Sequence, residues 1–193
     1  GERDFGGVTL PDGLKKNAKL TEPLFTPTTK SDEHDRPITT TEIISEGILT
    51  KELTEKVEKT AKALFARGQE LALERGLILV DTKYEFGLDA NGELLLIDEI
   101  HTPDSSRYWK ADTYEERFAA NVEPEYFDKE FLRLWFRENC DPYNDKELPP
   151  APSELVAELT RRYIEIYEII TREPFEYDFS VAPVERIKKN LGL

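Results

Sequence analysis

Apolar residues recur at helical spacing over two long segments of the chain. Between about 51 and 75 they form one stripe, with Thr50 placed to cap the helix and Gly76 to end it. A second stripe runs from Ser153, the predicted N-cap, to about residue 171. The pattern therefore predicts two helices, each long enough to cover one face of a sheet.

Two shorter helices are predicted from capping signals. Thr39 and Glu42 have the spacing of a capping box, which favours a short helix ending near Gly47. A further helix is predicted over 127–138, with Asp128 as its cap. Its apolar positions, expected to be buried, are Phe131, Leu134 and Trp135.

Between these helices the periodicity changes from helix to strand. An apolar run and an alternating stretch fill 77–88, the dipeptide Asn91-Gly92 follows, and a second apolar run fills 93–100. Asn-Gly between two such runs is a strong hairpin signal, because a type I′ turn needs positive φ at both central residues. The expected fold class is α+β, with an antiparallel sheet that contains this hairpin and three main helices packed on it.

The remaining segments are rich in turn-forming residues. Residues 1–40 carry several prolines and predict a loop-rich segment with at most one or two short strands. Residues 102–107 also predict a loop, and 174–193 an irregular tail with a short helix near 183–190. Because no composition shift divides the chain, we expect residues 1–193 to form a single domain.

Composition narrows the classes of function. The chain has 193 residues, 40 acidic against 26 basic side chains and a net charge of -14. This balance argues against nucleic acid as the main partner, and the absence of a long apolar run argues against a membrane span. The single cysteine, Cys140, suits a reducing compartment. The chain contains no methionine and begins with Gly1, which suggests a piece of a longer protein.

The hairpin carries the most informative polar residues. Asp81, Lys83 and Glu85 share one face of the first strand because residues two apart point to the same side. A two-residue turn at Asn91-Gly92 puts Glu85 opposite Asp98, and a four-residue loop shifted by one residue toward the first strand puts Lys83 there instead. Such a cluster can hold Mg²⁺ together with phosphate oxygens. An exposed face with an ordinary lysine–carboxylate ladder remains open as the alternative.

Two loops add candidate ligand-binding groups. The first follows the second strand and offers two hydroxyls and a guanidinium suited to a phosphate; its residues are Asp104, Ser105, Ser106 and Arg107. The second is a polar cluster in the loop-rich segment that includes Lys30, His34 and Asp35. For each loop, capped turns with solvated side chains are the competing interpretation. His101 is expected to be packed or exposed, since no second histidine or cysteine has metal-ligand spacing with it.

Several strings of residues together resemble one enzyme family. They are LVDTKYEFG at 79–87, LIDEI at 96–100, TPDSSRYW at 102–109, LPDGL at 10–14, EPLFTPTTK at 22–30 and DKEFLR at 128–133. They closely resemble SAICAR synthetase, the phosphoribosylaminoimidazole-succinocarboxamide synthase of purine biosynthesis. The resemblance extends from residue 1 to about residue 171.

The resemblance implies an ATP-dependent C–N ligase. Such an enzyme joins L-aspartate to the carboxylate of carboxyaminoimidazole ribotide (CAIR) and releases ADP and phosphate, through an acyl phosphate. It implies ATP and Mg²⁺ as cofactors and a chain that forms the larger lobe of a two-lobed fold distantly similar to kinases. A cytoplasmic enzyme is expected, or a plastid one in a plant, and a homo-oligomer is left open.

The family motifs also imply roles for individual residues. Glu85 and Asp98 match the carboxylates that bind Mg²⁺ on the ATP phosphates, and Lys83, supported by Asp81, matches the catalytic position at the reacting oxygens. Arg107 with Ser105 or Ser106 matches the family residues that bind the ribotide phosphate. Three further residues match positions near the substrates: Asp104, and, in the loop-rich segment, Lys30 and the loop that carries His34 and Asp35.

The chain also departs from the family pattern. The family's N-terminal portion, with its basic strand-loop over the ATP phosphates, has no counterpart here. We therefore expect activity only when that N-terminal segment is supplied, and little or none from these 193 residues alone. The alternative is a non-catalytic Mg²⁺- or nucleotide-binding or regulatory module of the same fold.

Overall fold

A computed structural model describes residues 4–5, 7–30, 35–127, 129–142, 144–177 and 180–193. The described strands are β1 (Asp4–Phe5), β2 (Val8–Thr9), β3 (Leu77–Thr82), β4 (Glu85–Leu88), β5 (Leu94–Ile97) and β6 (Ser106–Lys110). The described helices are α1 (Thr40–Ser45), α2 (Lys51–Leu73), α3 (Ala111–Ala119), α4 (Glu130–Asn139), α5 (Ser153–Thr171) and α6 (Pro183–Leu191). The predicted α+β class is confirmed, and so is the expectation of one or two short strands before residue 40.

The strands pair differently from the predicted hairpin. In the described residues β1 pairs with β2, β3 with β6 and β4 with β5, each antiparallel. The prediction is right for β4 and β5 but wrong for 77–82, which pairs with β6 because the chain leaves the strand at Lys83 and Tyr84. The predicted loop at 102–107 is also wrong at its end, since Ser106 and Arg107 begin β6.

The loop between β4 and β5 explains why both predicted registers are wrong. Glu85 lies opposite Ile97, because the loop has three residues between Asp89 and Glu93 and neither of the two lengths considered. Gly92 has φ 80°, whereas Asn91 is outside the left-handed region, so the turn is not type I′. Asp89 shapes it: its Oδ1 accepts from the N–H groups of Asn91 and Glu93, both at 2.8 Å.

The main core lies between the β3–β6 pair and the two long helices. Leu77 and Leu79 of β3 are 2% and 1% exposed, and Ile166 of α5 is 1% exposed. They form one cluster with Ala72, Tyr108 and Phe127. Burying one large aliphatic side chain contributes about 1.5–3 kcal/mol, so this cluster fixes β3 and β6 on α2 and α5.

The helix predictions hold for α1, α2 and α6 and need correction for α3, α4 and α5. The Thr39–Glu42 capping box is present, and Thr50 caps α2 by accepting from Leu53 N at 3.2 Å. Helix α4 starts after Lys129, and the predicted cap, Asp128, lies outside the described residues. In the described part of the chain, no helix is long and apolar enough to cross a membrane.

Three further helix details differ from the sequence prediction. Ser153 is the first residue of α5 and not its cap, which is Pro152 without a side-chain hydrogen bond. Leu134 of α4 is 42% exposed and not buried. Helix α3 was not predicted; it begins directly after β6 and buries Tyr114, whose ring stacks on Trp109 at a centroid distance of 5.8 Å. Helix α6 lies where a short helix near 183–190 was expected.

Candidate functional site

An irregularity in β3 turns Asp81 away from the core. Leu79 pairs with Tyr108, but the register then shifts so that Asp81 pairs with Arg107 and Thr82 with Ser106. Val80 is the extra residue, and such a bulge re-aims the side chains that follow it. Strict alternation after Leu79 would point Asp81 into the core, whereas the bulge places it on the outer face, where Arg107 Nε donates to its Oδ1 at 3.0 Å.

The break between β3 and β4 forms the centre of the site. Lys83 is held at the break by its backbone N–H, which donates to Ser105 O at 3.0 Å. Its Nζ donates to Glu85 Oε1 at 2.6 Å and lies 3.7 Å from Asp98 Oδ2. Asp98 directly follows β5 and has φ 68°, a left-handed conformation that turns the chain out of the strand. The predicted cross-strand opposition is therefore absent, yet Lys83, Glu85 and Asp98 still meet.

The loop-rich segment contributes to the same cluster. Lys30 Nζ donates to Glu85 Oε1 at 2.8 Å, so two ammonium groups share one carboxylate oxygen. Hydrogen bonds from Lys30 and Lys83 lower the pKa of Glu85 from 4.5 to about 2. Donating a hydrogen bond to Glu85 raises the pKa of both lysines, and the charge of Asp35 adds to that effect. His34 lies outside the described residues.

The loop residues after β5 separate into different environments. Lys129, just before α4, donates to Asp104. Ser105 Oγ lies 3.4 Å from Thr102 O and is partly exposed. Ser106 is 4% exposed, and its hydroxyl is engaged with Thr82 Oγ1 at 2.8 Å across the strand pair. The two serines that the sequence treated as equivalent therefore differ: Ser105 is partly exposed, whereas Ser106 is packed between strands.

Sequence reasoning missed two features next to the site. Lys129 belongs to the DKEFLR string, which carried the family resemblance, but no role was assigned to it. Tyr84 and His101 form a hydrogen bond between the phenol hydroxyl and Nε2 at 2.5 Å. His101 is packed, which is one of the two placements that the sequence left open; burial lowers the pKa of His101 and raises that of Tyr84 to about 12.

The number of carboxylates in the cluster limits which metal ions it can bind. Among the described residues, no three His, Cys, Asp or Glu side chains lie close enough to form a metal cage. Glu85 and Asp98 provide at most two carboxylates. Mg²⁺ is bound in proteins by one or two carboxylates together with phosphate oxygens and waters, so the donor set fits a metal that arrives with a phosphate.

Comparison with known proteins identifies the family to which the chain belongs. The sequence model of the SAICAR synthetase family matches residues 3–150 of the chain. The chain belongs to the SAICAR synthetase family. Phosphoribosylaminoimidazole-succinocarboxamide synthase of Legionella pneumophila (strain Lens) is 56% identical over 192 residues, which are 99% of this chain and 62% of that protein. Its chloroplastic relative in Arabidopsis thaliana is 53% identical, over 98% of this chain and 46% of that protein.

Solved SAICAR synthetase structures share the fold. The SAICAR-synthase from Saccharomyces cerevisiae complexed with SAICAR matches with a TM-score of 0.69 and 32% identity, covering 89% of this chain and 54% of that one. A SAICAR synthetase in complex with ADP matches with a TM-score of 0.62 and 32% identity, covering 85% and 57%. The similarity to the Legionella protein extends past residue 171, where the motif-based resemblance ended. This family member spans about three fifths of the length of that relative, 62%.

Proposed function

We propose that this chain supplies the phosphate- and metal-binding part of the active site of an ATP-dependent ligase. The reaction joins L-aspartate to the carboxylate of CAIR and gives SAICAR, ADP and phosphate. The observation that carries the proposal is the convergence of Lys30 and Lys83 on Glu85 Oε1, with Asp98 at 3.7 Å from Lys83. The residues come from three separate segments of a chain that belongs to the SAICAR synthetase family.

The proposed reaction needs positively and negatively charged side chains at one site. In the first step the CAIR carboxylate attacks the γ-phosphorus of ATP, the bond from that phosphorus to the β,γ-bridging oxygen breaks, and ADP leaves. The aspartate amine then attacks the acyl carbon, loses a proton, and phosphate leaves. Phosphoryl transfer of this type is accelerated mainly by positioning and charge neutralisation. Lys83 and Lys30 are the cations that neutralise phosphoryl and carboxylate oxygens.

Glu85 and Asp98 are the residues that would hold Mg²⁺. The metal, when bound with ATP, supplies positive charge at the β- and γ-phosphate oxygens. Both lysines bind one oxygen of Glu85, Oε1, so in this arrangement Oε2 is the oxygen available to a cation. Asp98 has a 45% exposed side chain and contributes the second carboxylate.

The ribotide would bind beside this cluster. Arg107 is the phosphate-binding cation, and Asp81 orients its guanidinium from the opposite strand. Ser105 is the hydroxyl donor, since Ser106 is buried and bonded to Thr82. Asp104, which Lys129 holds, is placed to accept from the amino or ribose groups of the substrate. Asp35, whose charge acts on both lysines, completes the substrate side.

The test measures binding by the chain, which spans 62% of the length of the Legionella relative. Calorimetric titration with ADP, with and without Mg²⁺, is expected to show Mg²⁺-dependent binding that Asp98→Asn weakens at least about ten-fold. Glu93→Gln is the matched control, since Glu93 is an exposed carboxylate of the same hairpin paired with Lys56. Equal affinity of wild type and Asp98→Asn would refute the site. Binding without turnover in the full-length enzyme would favour the non-catalytic module.

A further inference from the structure

Tyr84 and His101 form a contact directly behind the charged cluster. Tyr84 lies between Lys83 and Glu85 in the chain, and its hydroxyl is 2.5 Å from His101 Nε2. The two rings meet edge to face with centroids 5.5 Å apart. His101 lies three residues after Asp98. The pair therefore links the break between β3 and β4 to the loop that follows β5.

Helix α2 is shaped to receive this pair. A Cβ on Gly68 would lie 2.4 Å from His101 Cε1, 2.8 Å from Nε2 and 2.8 Å from Leu79 Cδ2, distances that no side chain tolerates. Glycine inside a helix costs about 1 kcal/mol relative to alanine. The close approach of the imidazole to the helix backbone gives a physical reason for glycine at this position.

The loop that His101 anchors is strained. His101 has φ 56° and Asp98 has φ 68°, so two non-glycine residues within four adopt the left-handed conformation. Each such residue costs about 1–2 kcal/mol and persists only where its surroundings enforce it. Besides the contact with Tyr84, the hydroxyl of Tyr108 donates to His101 O at 2.6 Å. His101 is thus held through both its ring and its backbone.

We infer that Tyr84 and His101 are positioning residues, which fix the loop after β5 against α2 and thereby hold Asp98 beside Lys83 and Glu85. A displacement of the Tyr84 ring moves its two neighbours in the chain, and a displacement of His101 moves the strained turn that carries Asp98. The pair acts through these residues and needs no contact with a ligand. Its consequence for nucleotide binding rests on the function proposed above, whereas its effect on the geometry of the cluster does not.

The first measurement uses the ligand-free chain. Nuclear Overhauser effects between Lys83 Hε and Asp98 Hβ report the contact of 3.7 Å between their charged groups. Tyr84→Phe and His101→Ala are expected to remove them. Tyr114→Phe is the control, because Tyr114 is another phenol with a hydrogen-bonded hydroxyl, which donates to Asn17 O at 2.8 Å, and it takes no part in the contact between Tyr84 and His101. Retention of these effects in both site variants would overturn the inference.

The second measurement is the affinity for Mg²⁺ and ADP. Tyr84→Phe and His101→Ala are expected to weaken it about ten-fold, the usual range for residues that orient ligating groups. His101→Gln keeps a hydrogen-bonding group near the Nε2 position and is expected to restore most of the affinity. A glutamine variant as weak as the alanine variant would contradict a role for the hydrogen bond.

The variant Gly68→Ala tests whether His101 positions the loop after β5 or only fills space. The added methyl group displaces His101 without altering the helical backbone, so we expect the contact between Lys83 and Asp98 to be lost. In the double variant Gly68→Ala with His101→Ala the clash with the imidazole is gone and only the contact with Leu79 Cδ2 remains, so thermal stability should partly recover while affinity does not. Recovery of both would show that His101 only fills space. If the wild-type chain binds no nucleotide, the proposed function fails, and the Overhauser effects alone decide the inference.

Discussion

Asp81 lies opposite Arg107 because β3 contains one residue, Val80, that has no paired residue in β6. Without the shift in register between Leu79 and Asp81, the alternation of the strand would direct the carboxylate toward the core that Leu79 enters. The bulge therefore converts a buried apolar strand into one whose end presents a charged pair to solvent. The same strand serves both the core and the site.

The Asp81–Arg107 pair is expected to matter for binding and little for folding. The two side chains are 46% and 57% exposed, and ion pairs of that exposure contribute about 0–1 kcal/mol. Arg107→Gln should lower the free energy of unfolding by less than about 1 kcal/mol, and should weaken SAICAR binding at least about ten-fold. Urea unfolding and a SAICAR titration measure the two effects. Lys56→Gln, which removes an exposed ion pair between α2 and Glu93 of the β4–β5 hairpin, is the control. Unchanged SAICAR affinity of Arg107→Gln would contradict the assignment of Arg107 to phosphate binding.

Local signals predicted the helices other than α3 and the existence of a hairpin, but not which strands pair. The capping box of Thr39 and Glu42 acts within one turn and is therefore readable from the sequence. The partner of β3 is not, because Ser106 and Arg107 have the polar character of a loop. Their side chains are hydrogen-bonded to Thr82 and Asp81, which tertiary structure brings opposite them.

The sequence predicted which residues form the candidate site better than it predicted how those residues are arranged. Glu85, Lys83 and Asp98 meet although both predicted registers were wrong, because Asp98 leaves the strand and turns back toward Lys83. The approach of Lys30 to Glu85 spans 55 residues, and no periodicity encodes such a contact. The family motifs implied only that Lys30 lies near the substrates, and they did not predict its contact with Glu85.

The turn between β4 and β5 gives a prediction that separates two turn types. In a type I′ turn, alanine at either central position would be strained. Here only Gly92 has a positive φ, 80°, so Gly92→Ala should lower the free energy of unfolding by about 1 kcal/mol. Asn91→Ala should lower it by less than about 0.5 kcal/mol, since its backbone conformation suits any residue. Denaturant unfolding of the two variants measures the difference, and equal losses would indicate a type I′ turn in solution.

The acid dependence of the cluster follows from the lowered pKa of Glu85. A carboxylate whose pKa falls from 4.5 to about 2 on folding stabilises the native state above pH 4.5, and this contribution disappears as the pH falls toward 2. Lys30→Gln removes one of the two donors, so the pKa of Glu85 should rise. Carbon-13 NMR of the carboxyl groups measures it.

An internal control for this titration is Glu158. Hydrogen bonds from Arg161 and Arg162 lower its pKa to about 2, and both are remote from Lys30 in the sequence, on α5. Its titration should be the same in the wild type and in Lys30→Gln. A Glu85 pKa that also stays unchanged would show that Lys30 does not contact Glu85 in solution.

The two serines of the loop after β5 should respond in opposite ways. Ser106→Ala leaves the partly buried hydroxyl of Thr82 without its partner, which should lower the free energy of unfolding by about 1–2 kcal/mol. Ser105→Ala should change it by less than about 0.5 kcal/mol but weaken SAICAR binding. Adding Thr82→Val to Ser106→Ala removes both partners and should recover most of the stability, because two apolar groups leave no unpaired hydroxyl. Urea unfolding and SAICAR titration separate the roles; a loss of stability in Ser105→Ala equal to that in Ser106→Ala would contradict them.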